Sequence, residues 1–145
     1  MDLYSIINHL HSGFRYVVLV LLILAIIQSL LGAVNKSPYS ELNRKINLFA
    51  MISVHTQLLI GIVLYIISPL VHFTSETMKN STLRYFAVEH WFGMIIAIAL
   101  ITIGHSKSKK IILPEIKHRT IGIYYAIALT VVVGTLIMGH IPVFK

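Results

Sequence analysis

Four stretches of the chain read as near-continuous apolar runs, at about 14–34, 46–68, 85–105 and 119–141. A run of about 20 apolar residues is what an α-helix needs to cross the hydrocarbon core of a bilayer, at a rise of about 1.5 Å per residue. The pattern therefore predicts four membrane-spanning helices, the first able to extend back toward Leu3. Between them lie polar connectors at 35–45 around Pro38, at 69–84 with Ser, Thr and Asn, and at 106–118 around Pro114. Pro69 and Pro114 stand where a helix should stop or turn. Short connectors make consecutive helices antiparallel. The expected fold class is all-α: an integral membrane, up-down four-helix bundle forming one domain over 1–145.

Composition agrees. The 145 residues are 57% hydrophobic and 12% charged, against about 25% charged in an ordinary globular protein. So small a soluble domain could not bury that much apolar material, which excludes a water-soluble monomer. The net charge of +7 is carried by too few residues among too much Ile and Leu for a nucleic-acid-binding stripe. Its distribution is informative instead. Lys36, Arg44, Lys45, Lys107, Lys109, Lys110, Lys117 and Arg119 fall in the 1–2 and 3–4 connectors, leaving Arg15, Lys79, Arg84 and Lys145 for the other face. The positive-inside rule then places both termini outside, which in a bacterial inner membrane is the periplasmic side. The N-terminus has neither a basic n-region nor a small-residue cleavage site, so the first span reads as retained rather than as a cleaved signal peptide. With no cysteine, disulfides, thiolate zinc, iron–sulfur clusters and covalent haem attachment are excluded.

Ionisable residues inside apolar runs point to function, and the eight histidines are the main candidates. His72 and His118 lie in polar connectors and read as surface groups. His105 and His140 end helices, where a cation suits the dipole or can snorkel. His9 and His11 are about 200° apart around a helix, so they cannot both face the core. His55 and His90 sit within apolar runs and need partners for both ring nitrogens. Neutral imidazole is a favoured metal ligand and the usual axial ligand of haem b. By depth, His11, His90 and His140 gather at the outer end, while His55 lies roughly 13 Å deeper than His90. The first choice is a haem b at the outer side between the first and third spans; the alternative pairs His55 with an outer histidine, or with His105 in a second site. Arg15, one turn beyond His11, requires an anion, either a haem propionate or Glu89. Glu89 is a candidate proton-transfer group, or a hydrogen-bond partner for a ligand imidazole. His90, Gly93, Ala97 and Gly104 share a broad face, where small side chains either leave room for a flat macrocycle or let helices pack closely.

The segment His11-Ser12-Gly13-Phe14-Arg15-Tyr16 resembles the opening of a family of short bacterial four-helix membrane proteins identified as cytochrome b-like. The resemblance continues through His55-Thr56-Gln57, Gly61, Leu64-Tyr65, Ser68-Pro69, Val88-Glu89-His90, Met94 to Ile103-Gly104, and Ile141-Pro142, nearly the whole chain. His11, His55 and His90 belong to the family pattern; His105 and His140 do not. The tail Val143-Phe144-Lys145 departs from the family's Trp-Pro ending. The layout is also similar to one half of haem A synthase, a four-helix haem bundle with a glutamate close to a histidine. The resemblance implies haem b, or haem with a second metal such as copper held by His11, His55 and His90.

Three function classes follow. The first is a b-type haem protein transferring electrons, with haem held by two of His11, His90, His55 and His140 and with quinol or a periplasmic redox protein as partner, as a monomer or homodimer. The second is a haem-associated membrane oxidoreductase that uses Glu89 and a copper site. The third is a haem-free metal or proton transporter with His55, His90 and Glu89 along a polar path, for which the chain lacks the inverted repeat of known transporters.

Overall fold

A computed structural model of the chain describes residues 2–69, 71 and 74–139. Every regular element among them is helical: α1 Leu3–Asn35, α2 Glu41–Ile67, the short α3 Ser75–Lys79 and α4 Ser81–Arg84, one π-helical turn Tyr85–Glu89, α5 His90–Lys109 and α6 Pro114–Met138. The segment Ser81–Lys109 runs as one apolar rod through its π turn, so four helices are long and apolar enough to cross a membrane.

Capping chemistry explains the ends. Asp2 starts α1 by accepting the Ser5 N–H at 2.8 Å. Ser40 starts α2 through a capping box, its hydroxyl accepting the Asn43 N–H while the Asn43 carboxamide accepts the Ser40 N–H. Lys36 closes α1 in the left-handed region (φ 52°) with its N–H on the Gly32 carbonyl. Pro114 occupies the first turn of α6, where its missing N–H has no helical partner to lose.

Each helix touches two neighbours, and every neighbouring pair is antiparallel. Gln57 of α2 bonds the His11 carbonyl of α1, while Gln28 near the other end of α1 bonds Asn47 of α2. His55 of α2 meets Thr102 of α5, and Tyr65 meets Ala87. The start of α5 packs on the end of α6 and the start of α6 on the end of α1. The ring α1–α2–α5–α6 therefore closes as an up-down bundle, with α1 and α5 parallel across the diagonal and the α2–α5 seam the sparsest. Its core is Val18, Leu22 and Ala25, Ala50 and Val54, Ala97 and Ile101, and Ile121, Tyr125 and Ala128. Large apolar side chains such as Leu24, Leu59, Ile96 and Ile127 cover the outside, the reverse of an amphipathic soluble helix and the arrangement lipid contact requires.

Two expectations, both for histidines, are corrected and two others sharpened. Three rods start four or five residues before their apolar runs, at Glu41, Ser81 and Pro114, because polar residues there still form backbone bonds, and α1 starts at Leu3 as the pattern allows. The connector expected over 106–118 shrinks to 110–113, so His118 is not a surface group. It is 1% exposed, wedged against Gly32 and Tyr39 with Nε2 3.2 Å from the Pro38 carbonyl. His105 does not snorkel but is buried at 4% exposure. On the small-residue face of the third span, Gly93 packs against Thr135 and Gly104 against Tyr124 of α6, so these two glycines serve close helix packing.

At the basic end a polar network locks three elements. Gln28 Nε2 donates to Asn47 Oδ1, Asn47 Nδ2 to the Tyr39 hydroxyl, and the Tyr125 hydroxyl to the Asn47 carbonyl. Close approach matters equally: a Cβ at Gly32 would lie 2.7 Å from the His118 ring, whereas at Gly134 it would meet nothing within 4 Å. Gly32→Ala should thus cost about 1–3 kcal/mol through overpacking, and Gly134→Ala should be neutral or stabilising by up to about 1 kcal/mol. Thermal unfolding of the detergent-solubilised variants checks this; equal melting points would contradict it.

Candidate functional site

The end of the bundle that carries the α1 N-terminus is built around the π turn. In an α-helix, residues five apart point about 140° away from each other. The wider turn at Tyr85–Glu89, closed by the His90 N–H on the Tyr85 carbonyl, brings Tyr85 and His90 to one side. The Tyr85 oxygen then lies 3.1 Å from His90 Nδ1, with the rings 5.5 Å apart. Tyr65 and Trp91 each donate to the Ala87 carbonyl inside the same turn, at 2.6 and 2.7 Å. Extra side-chain donors thus satisfy a backbone that the π geometry leaves irregular.

Tyr85 settles the tautomer of His90. Its hydroxyl donates to the Thr135 carbonyl of α6 at 2.8 Å. A hydroxyl has one proton, so toward His90 the Tyr85 oxygen accepts, and Nδ1 of His90 carries the hydrogen. The neutral ring therefore presents its lone pair at Nε2, the form in which imidazole binds a metal. The relay is rigid: Tyr85 is 3% exposed and packs against Gly139.

Across the diagonal stands His11. Its ring centre lies 6.2 Å from that of His90, with the planes at 72°. Gln57 Nε2 bonds the His11 backbone carbonyl at 2.8 Å. The absence of a side chain at Gly61 admits the imidazole, since a Cβ there would stand 3.3 Å from His11 Cε1. Buried polar atoms without a partner are rare in native proteins and call for an explanation. Three cluster here, namely His11 Nδ1, Arg15 Nε and Gln57 Oε1.

Of the sequence candidates, His11, His90 and Arg15 are thus brought to one end. Arg15 packs over the Tyr16 ring at 5.4 Å. It does not take Glu89 as its counter-ion; Glu89 bonds Arg84 at 2.6 Å. His55 lies apart. Its Nε2 is 2.9 Å from the Thr102 hydroxyl, and Thr102 is twelve residues beyond His90, or about 18 Å along α5. His9 is exposed on the opposite side of α1. His105 is a further turn toward the basic end, and His72 and His140 lie outside the described residues. Among the described residues no group of three His, Asp or Glu is placed to hold a metal ion.

Neither Tyr85 nor Thr135 stands out in the sequence. Under a 3.6-residue period Tyr85 and His90 appear out of phase, and nothing in the residue types announces a π turn.

Tyr85→Phe should strand His90 Nδ1, a loss of about 1–3 kcal/mol, while the Thr135 carbonyl keeps the Gly139 N–H at 3.4 Å. It should also release the His90 tautomer, which ¹⁵N shifts of labelled histidine would register. Unchanged shifts together with an unchanged melting point would contradict the relay. In comparisons with known proteins, no family model, curated protein or solved structure matches this chain.

Proposed function

We propose that the chain is a multi-pass protein of a bacterial inner membrane that holds haem b between His11 and His90 and passes electrons through it. The observation that carries this reading is the 6.2 Å separation of the two imidazole rings on opposite helices. Two metal–imidazole bonds of about 2.0–2.1 Å, with half a ring at each end, would span roughly this distance, so His11 and His90 would be the residues that hold the haem. The other donors fit as well: Nε2 of His90 is the lone-pair nitrogen, and the ring of His11 is buried with a nitrogen unpartnered.

Bound there, haem supplies a one-electron couple. This chain's own residues orient and shield it. Tyr85, held by Thr135, fixes the plane and tautomer of His90, so that its Nε2 lone pair would be the one offered to a haem. Gln57 holds the α1 backbone at His11, and Gly61 leaves the space that the ring occupies. Arg15, with its buried Nε unpartnered, supplies a cation for a propionate. Glu89 is neutralised by Arg84 and has no part in the electron step.

The basic connectors lie at the end opposite this site, which under the positive-inside rule puts the haem near the periplasmic face. Quinol in the outer leaflet or a periplasmic redox protein is the matching partner. The cytochrome b-like resemblance around His11, His55 and His90 points the same way for His11 and His90. It does not explain His55, which has Thr102 for a partner.

The reduced-minus-oxidised spectrum of protein purified from haem-sufficient cells tests the reading. The wild type should show a b-type Soret and α band at one haem per chain. His11→Ala and His90→Ala should each lose at least about tenfold in haem content, the loss expected on removing a metal ligand or its supporting partner. His55→Ala should keep its haem. A wild type without a Soret band, or loss of haem in His55→Ala but not in His11→Ala, would overturn it.

A further inference from the structure

The opposite end of the bundle holds a second constellation. A cavity of about 460 Å³ opens there between α2, α5 and α6, lined by Tyr39, Arg44, His105, Ser108, Lys109 and Lys117. Three of these are cations and no acidic residue lines the cavity. Arg44 is paired with Glu41 on its own helix, and both are well exposed. Lys117 Nζ donates to the Ser108 carbonyl at 2.7 Å and sits 5.2 Å above the Tyr39 ring. Burial holds the Tyr39 phenol above its usual pKa, so at this wall it is neutral.

His105 forms part of the cavity wall. It is buried, and its Nδ1 has no hydrogen-bond partner, although the Ser108 hydroxyl reaches its backbone carbonyl at 2.7 Å. His118 Nδ1 and Ser29 Oγ, the other buried unpartnered atoms at this end, belong to the same polar layer. Lys109 and Lys117 have no carboxylate beside them among the lining residues, and like charges brought together repel. An anion relieves that repulsion. The C-terminal carbonyls of α5 oppose it, and the Lys117 ammonium on Ser108 offsets them.

We propose that this cavity binds a phosphate group, with Lys109, Lys117 and Arg44 supplying charge and the His105 imidazole forming part of its wall. Its volume lies within the range of ligand pockets, about 300–1,000 Å³. Its place at the last turn of α5, among the basic connectors, is where an apolar helix of this length meets lipid headgroups. The phosphate is that of an anionic lipid or a soluble phosphate, and both present the same oxygens. The inference is independent of haem binding at the other end.

Titration of the full-length detergent-solubilised protein by native mass spectrometry tests it, with phosphatidylglycerol, phosphatidylcholine and inorganic phosphate as probes. One phosphatidylglycerol or one phosphate should bind at least about tenfold more tightly than phosphatidylcholine. Lys109→Gln and His105→Gln should each weaken that binding at least about fivefold. Lys107→Gln and Lys110→Gln change the charge equally outside the cavity and should leave it unchanged. Lys109 is exposed, so its substitution keeps the fold, and helicity by circular dichroism confirms this. Binding of phosphatidylglycerol that inorganic phosphate does not displace identifies a lipid headgroup, whereas displacement at millimolar phosphate identifies a soluble anion. Equal weakening in all four variants, or no preference over phosphatidylcholine, overturns the proposal.

Discussion

Every polar group inside this bundle must find its partner on another helix or in its own backbone, because the outer faces are apolar and offer none. Most of the internal contacts follow from that constraint. Gln28 and Asn47 tie α1 to α2, Tyr125 ties α6 to α2, His55 and Thr102 span the sparse α2–α5 seam, and Tyr85 ties the π turn to α6. Apolar side chains give the helices their length and lipid-facing surface but pack with little directional preference. The hydrogen-bonded pairs set which helix lies beside which, and at what register.

The constraint is left incomplete in two places, one at each end. Around His11 the unpartnered atoms are a ring nitrogen, a guanidinium nitrogen and an amide oxygen; toward the basic end they are the Nδ1 atoms of His105 and His118 and the Ser29 hydroxyl. The ends differ in chemistry. At the first, two imidazoles face each other across the diagonal, which suits a cofactor with axial positions. At the second, cations surround a cavity, which suits an anion.

Much of the fold was legible because apolar runs of span length have few other readings, and antiparallel neighbours follow from short connectors. The depth argument that grouped His11 with His90 was also sound, since it needed only helix rise. What the sequence did not show depended on events within one turn. The polar run 106–109 continues α5 because nothing in it breaks a helix, and so His118 enters the core rather than a loop. Gly93 and Gly104 serve α6, a choice between close packing and open space that spacing alone does not decide. Tyr85 reaches His90 only because a π turn resets the phase between them. Glu89 finds Arg84 through the same local winding, which is why its pairing with Arg15 failed.

The central claim is that His11 and His90 are the two axial ligands of one iron, with crossed ring planes. Electron paramagnetic resonance of the oxidised protein addresses it directly, because spin state reports whether both axial positions are strongly ligated and anisotropy reports how the two planes are set. With planes near 72°, the account predicts a low-spin ferric signal of the strongly anisotropic type given by crossed imidazoles, lost in either single histidine variant. A high-spin signal in the wild type, or a low-spin signal that survives His90→Ala, would contradict it.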